Sequence, residues 1–194
     1  MHKEQLLGDE VYLIHEFLSP EECDEFIAGA EAEGFGDAPI TTAAGPVMFK
    51  EIRNNERVMI DDPELAASLW ERASPMVANS SGVWRPVGLN ERFRYYRYDP
   101  GQKFAAHGDG RFIRDASEMS FLTFMVYLND GFGGGDTVFF EGGRANRRET
   151  VRVRPVRGTA LVFDHPLLHE GSEVTSGRKY VLRSDVMFRA DVEA

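Results

Sequence analysis

The sequence is short of three things, and each shortage excludes a class of protein. It has a single cysteine, Cys23, so no disulfide can close within the chain, and a disulfide-stapled secreted scaffold is excluded. Positive charge is also scarce: 22 Lys and Arg stand against 32 Asp and Glu, giving a net charge of −10. That field opposes the phosphate contacts on which nucleic-acid binding depends, so no nucleic-acid partner is expected. Finally, no uncharged stretch approaches the roughly 20 apolar residues of a membrane span. Residues 1–10 also lack the basic-then-apolar plan of a signal peptide. The expectation is a cytoplasmic protein with no membrane partner.

What is present is ordinary globular material, with 42% hydrophobic and 28% charged residues, which excludes a disordered chain. No repeat, low-complexity tract or Pro/Ser linker interrupts it, so one domain is expected over 1–194, with 1–89 as a helical N-terminal part and 90–189 as a β core. Ser19-Pro20-Glu21-Glu22 carries the signature of a helix start with a capping box, and Gly34 supplies the stop. Asp62-Pro63 starts a second helix that ends before Pro75. A short strand is expected at Val11-Tyr12-Leu13-Ile14.

Beyond residue 90 the period becomes two. Strands are expected over 90–98, 103–109, 120–129, 137–141, 151–155, 159–164 and 178–188. Leu122, Phe124, Val126 and Leu128 share one face, with Thr123, Met125, Tyr127 and Asn129 on the other. In the last strand Tyr180, Leu182, Val186 and Phe188 lie opposite Lys179, Arg183 and Asp185. Helices covering the apolar faces would leave the polar ones to line a wet cavity.

The chemistry-bearing residues fall on that side. His107-Gly108-Asp109 puts an imidazole and a carboxylate two apart, roughly 7 Å at Cα and on the same side of a strand. A distant histidine completes a two-His-one-carboxylate set, which leaves coordination positions open and suits Fe(II). His169, in a loop after an apolar strand, is preferred over its neighbour His165. Lys179 lies ten positions further on, where it can pair with the far carboxylate of an iron-chelating 2-oxoglutarate. Arg183 is the alternative or a second contact, unless it is spent on an ion pair with Asp185.

The run Tyr98-Asp99-Pro100-Gly101-Gln102-Lys103-Phe104 through His107-Gly108-Asp109 resembles the first metal motif of prolyl-4-hydroxylase-like Fe(II)/2-oxoglutarate oxygenases. Tyr127-Leu128-Asn129 with Gly134-Gly135-Asp136-Thr137, and His169-Glu170-Gly171 with Lys179, are similar to that family's later motifs, in its order. The resemblance covers about residues 90–189. It implies a mainly β fold, a double-stranded β-helix or jelly roll with N-terminal helices packed on one sheet.

It also implies Fe(II) held by His107, Asp109 and His169, and 2-oxoglutarate held by Lys179, with Tyr127, Tyr98 and Arg183 as further contacts. No catalytic side chain beyond the metal centre is expected, and ascorbate is the expected reductant. The reaction implied is hydroxylation of an aliphatic C–H by dioxygen, with a prolyl residue of a protein or peptide as leading substrate and a free amino acid or small metabolite as alternative. Arg94, Tyr96, Arg53 and Asn55 are candidates for the substrate rim, as is loop 110–116. Retention of Asp109 disfavours a halogenase. The acidic charge and the closing motif oppose an AlkB-like demethylase. A cupin-like module that binds metal or ligand without catalysis is the rival from another class.

Overall fold

The computed structural model describes residues 1–42, 45–77, 82–143 and 146–191. Both helices begin where their caps put them. The Ser19 hydroxyl accepts the Glu22 N–H at 3.2 Å and the Glu22 carboxylate accepts the Ser19 N–H at 2.8 Å, which closes the capping box of α1 (Pro20–Glu33). Asp62 accepts the Leu65 N–H at 2.9 Å at the head of α2 (Pro63–Ala73), and a 3-10 turn at Ser74–Met76 ends it.

The first 89 residues hold more strand than their expected helical character allowed. β1 (His2–Leu7), β2 (Val11–His15), β3 (Gly36–Asp37), β4 (Ile40–Thr42), β5 (Gly45–Val47), β6 (Glu56–Asp61) and β7 (Trp84–Leu89) all lie there. Their sequences hide them. β6 is half polar and β7 carries Pro86 and Gly88, so neither has a clean alternation; pairing with long neighbours makes them strands.

The remaining strands are β8 (Arg92–Tyr98), β9 (Phe104–His107), β10 (Glu118–Tyr127), β11 (Gly133–Gly134) and β12 (Thr137–Glu141). They are followed by β13 (Arg148–Val153), β14 (Ala160–Asp164), β15 (Leu168–Gly171), β16 (Val174–Ser176) and β17 (Lys179–Ala190). A nine-stranded sheet runs β1-β2-β14-β10-β17-β8-β6-β3, with β7 also paired to β17. A four-stranded sheet runs β13-β12-β15-β9. The named strands pair antiparallel, and the two sheets share a core: the architecture is a mainly β jelly roll.

Alternation along the long strands sorts the core in two. On the outer face of the large sheet, Phe124, Val126, Leu182 and Phe93 meet Ala30, Leu69 and Ala73 of the helices. Burying each large side chain there contributes roughly 1.5–3 kcal/mol. On the inner face, Tyr96, Tyr98, Tyr127 and Val181 turn towards Phe139 and Val153 of the smaller sheet. The inner face is where polar and charged groups collect, and the site forms between the sheets.

Phe124 is 1% exposed and meets the Phe17 ring edge-on at 5.1 Å. Phe124→Ala should lower unfolding free energy by about 3–5 kcal/mol, as large-to-small core changes do. Urea titration measures it; a loss under about 1 kcal/mol would mean the helical layer does not depend on this contact.

Candidate active site

His107 ends β9, and His169 lies opposite it in register on β15, with ring centroids 4.4 Å apart. His169 therefore sits in a strand and not in the loop expected for it. β15 is four residues long and follows Pro166, with no apolar alternation to announce it. Asp109 lies two residues past His107, where its N–H donates to the His165 carbonyl at 2.8 Å.

Both histidines are fixed by a backbone carbonyl. Nδ1 of His107 lies 2.9 Å from the Ala105 oxygen, and Nδ1 of His169 lies 2.9 Å from the Leu167 oxygen. A carbonyl only accepts, so each Nδ1 carries the hydrogen and each Nε2 keeps its lone pair. Those lone pairs converge on one carboxylate. His107 Nε2 is 3.6 Å from Asp109 Oδ1 and His169 Nε2 is 3.7 Å from Oδ2. One donor atom from each residue lies within 4.8 Å of the others. Burial, helped by the neighbouring His169, pushes the His107 ring down to about 3, and burial lowers His169 as well, so both are neutral donors at pH 7. Two neutral imidazoles and a carboxylate are a donor set that fits Fe(II).

Burial alone would raise the Asp109 carboxyl, but the Arg183 guanidinium, with the Thr123 hydroxyl, outweighs it and holds it well below the usual range. Arg183 lies 3.1 Å from Asp109 Oδ2 and 3.1 Å from Asp185 Oδ1, so the ion pair with Asp185 is real and is shared with Asp109. The Thr123 hydroxyl donates to Asp109 Oδ2 at 2.5 Å. Since Thr123 spends its hydrogen there, it accepts from His165 Nδ1 at 3.0 Å, and His165 Nε2 accepts from the Ser120 hydroxyl at 2.8 Å. His165, 1% exposed, thus orients Thr123 and turns its nitrogens away from the other two histidines. The sequence reading gave neither Thr123 nor His165 this place; the polar face of β10 was the one signal for Thr123.

Two chambers meet at His107 and Asp109. The inner one is also lined by His169, Thr137, Tyr98 and Lys179. Lys179 is 2% exposed, donates to the Gly135 carbonyl at 2.6 Å, and lies 5.3 and 5.4 Å from the ring centres of Tyr98 and Tyr127. Among the described residues no carboxylate comes within ion-pair distance of it. Burial pushes its ammonium down to about 8 against the pull of Asp136. Gly135 can present its carbonyl because it adopts φ +72°; a Cβ there would lie 2.9 Å from Phe132 and 3.2 Å from the Lys179 chain. Tyr127 donates its hydroxyl to Thr137 Oγ1 at 2.8 Å and stands behind that residue, off the chamber wall.

The outer chamber is lined by Arg53, Arg57, Arg94, Tyr96 and Arg111 beside His107 and Asp109. Gly110, Arg111 and Phe112 are the part of loop 110–116 on its wall. Asn55 is not on it. This residue, 1% exposed, accepts from Arg53 Nε at 2.8 Å and acts by holding that arginine.

A family model described as the 2OG-Fe(II) oxygenase superfamily matches residues 93–184, the stretch that carries all of the converging donors. Over that stretch the chain is similar to the superfamily. Among curated proteins similar to this chain, Prolyl 4-hydroxylase 1 of Arabidopsis thaliana is 25% identical over 188 residues, covering 88% of this chain and 66% of its own length. Probable prolyl 4-hydroxylase 4 of the same plant is 27% identical over 195 residues, covering 84% and 62%. The chain thus spans a little under two thirds of the length of these relatives.

Solved structures share the fold. The viral collagen prolyl hydroxylase of Paramecium Bursaria Chlorella virus-1, in its 2OG complex, matches with TM-score 0.60 and 23% identity, covering 96% of this chain and all of that one. A prolyl hydroxylase of Trichoplax adhaerens, in complex with a hypoxia inducible factor peptide fragment, matches with TM-score 0.67 and 19% identity, covering 96% and 86%. No helix among the described residues is long and apolar enough to cross a membrane.

Arg183→Met in metal-free protein removes the cation from two buried carboxylates. It should cost about 3–5 kcal/mol of stability, because Asp109 is left as an uncompensated buried charge while Asp185 keeps Arg94 alone. Urea unfolding tests this, and a cost near zero would show that Asp109 and Asp185 do not depend on Arg183.

Proposed function

We propose that the chain is an Fe(II)- and 2-oxoglutarate-dependent dioxygenase that hydroxylates an aliphatic C–H, with a prolyl residue of a protein or peptide as the leading substrate. One observation carries the reading. Three converging donors and a buried lysine that has no carboxylate partner among the described residues open into the same chamber. His107, Asp109 and His169 would hold the metal, and Lys179 would receive the far carboxylate of the co-substrate. Bound iron with 2-oxoglutarate supplies the oxidising power, turning C–H and dioxygen into C–OH with succinate and carbon dioxide released.

The residues do the rest. The Ala105 and Leu167 carbonyls keep both Nε2 lone pairs turned inward before any ligand arrives. Thr123 and Arg183 fix the Asp109 carboxylate, so little reorganisation remains when a ligand binds. Tyr98 and Tyr127 stack their rings around Lys179, and Thr137 offers a hydroxyl on the chamber wall. A desolvated ammonium met by a carboxylate makes a short charge-assisted bond, stronger than the same pair in water. Phe104, Phe163 and Val181 give the chamber an apolar lining that limits water near the reacting atoms. Peptide binding by the Trichoplax relative supports a peptide substrate.

A single domain, a cytoplasmic location and ascorbate as reductant belong to the same proposal. Strands from both ends of the chain in one sheet support the first, and a lone buried thiol at Cys23 supports the second. A module that kept a metal only for structure would have no use for neutral donors beside a buried cation that has no carboxylate partner among the described residues.

Incubation with Fe(II), 2-oxoglutarate, ascorbate and a proline-containing peptide library should release succinate and add one oxygen to a peptide, read by mass spectrometry. Absence of succinate, or full activity in His107→Ala, would sink the proposal. Lys179→Ala should raise the KM for 2-oxoglutarate about tenfold or more, the size of one lost charged hydrogen bond. The pH dependence follows in sign. The ammonium is the binding form and titrates at about 8 in the free protein. Affinity for 2-oxoglutarate should therefore hold below pH 8 and fall up to about tenfold per unit above it. An affinity that stays flat from pH 7 to 10 would count against Lys179 as the anchor.

A further inference from the structure

Arginine builds the outer chamber, in a chain with a net charge of −10. Arg53, Arg57, Arg94, Arg111 and Arg183 all line it, and of these only Arg183 also reaches the inner chamber that holds Lys179. Two are neutralised: Arg183 by Asp109 and Asp185, and Arg94 by Asp185 at 3.0 Å. Among the described residues, no carboxylate lies within ion-pair distance of Arg53, Arg57 or Arg111.

Arg53 is the most constrained of them. It is 4% exposed, and its guanidinium carbon lies 4.6 and 4.4 Å from the ring centres of Tyr96 and Phe104. Nε is taken by Asn55, while Nη2 is buried with no hydrogen-bond partner. A buried guanidinium N–H left unpaired is costly, and like charges gathered round one opening repel each other. Arg57, half-buried, feels this: burial, together with Arg53 and Arg94, outweighs the pull of Tyr96 and lowers its affinity for a proton. The two rings and Asn55 spend structure on keeping a charge at a place where the protein supplies it no counter-charge.

We propose that the substrate itself brings the counter-charge: it carries a carboxylate that Arg53 and Arg57 receive, while the carbon to be oxidised lies beside His107, Asp109 and His169. The inference rests on the oxygenase reading for the second half of that statement and on the arginines alone for the first. Planar guanidinium groups match a carboxylate by paired N–H donors. The acidic surface turns away polyanions, which selects a small or peptide-borne carboxylate over a nucleic-acid backbone. The carboxylate can come from a peptide's C-terminus or from an acidic side chain next to the target, and both put the charge a few bonds from a proline ring.

Three probes separate these cases: acetyl-Ala-Pro with a free C-terminal carboxylate, acetyl-Asp-Pro-Ala-amide, and the neutral acetyl-Ala-Pro-Ala-amide. Each is titrated calorimetrically, without oxygen, into protein loaded with Fe(II) and 2-oxoglutarate, so that binding is read without turnover. One carboxylate probe should bind about tenfold or more tightly than the neutral one, and which one does identifies the source. Arg57→Gln and, separately, Arg53→Gln should erase that advantage; Arg57 is half-exposed, so its variant serves if the buried Arg53 variant does not fold.

Equal affinities for all three probes, binding of none by protein that has taken up 2-oxoglutarate, or an advantage that survives substitution overturns the inference. Admitting oxygen and assaying succinate then tests the oxygenase reading by itself. A carboxylate preference without succinate keeps the arginine site and removes the oxygenase, and succinate without preference does the reverse.

Discussion

Three charged groups that would each be intolerable alone are buried together where β17 passes the end of β9. Arg183 lies 3.1 Å from both Asp109 and Asp185, and Arg94 reaches Asp185 from the neighbouring strand at 3.0 Å. Removing Arg183 would leave Asp109 without a counter-charge in a medium that does not solvate it. The cluster ties β8, β17 and the turn after β9 at one point. Along β17, Lys179, Val181, Arg183 and Asp185 share a face, so the position of Arg183 also sets that of Lys179, about 13 Å away at strand spacing.

How far the sequence announced this differs from residue to residue. The helix starts at Ser19 and Asp62 were legible because caps are local: side chain and amide are three residues apart. β8, β10 and β17 were legible because each keeps its alternation, one face towards the helices and one inward. His107, Asp109, His169 and Lys179 were singled out by their spacing and by the family resemblance, and the structure brings all four to one chamber. The strand character of His169 was not legible, since β15 depends on pairing with β9 and β12 and not on its own composition.

Other features had no local signature at all. Ser120, His165 and Thr123 form a directed chain of hydrogen bonds, but neutral donors 42 and 45 residues apart make no motif. Arg53, Arg57, Arg94 and Arg111 come from three separate segments, and only the closed fold shows that they share a wall. Asn55 and Tyr127 were read as ligand contacts, yet each is spent on a neighbour, Arg53 and Thr137. Polar residues on the correct face can serve the wall as readily as the contents, and alternation does not tell the two apart.

The two oxygens of Asp109 have different surroundings. Oδ2 receives both the Thr123 hydroxyl and the Arg183 guanidinium, while Oδ1 has neither. Such a carboxylate is asymmetric in its electron density, with one oxygen saturated by protein donors and the other left as the better Lewis base. Were a metal held here, Oδ1 would be the oxygen free to meet it, and a carboxylate offering one oxygen would take one coordination position and leave the others open.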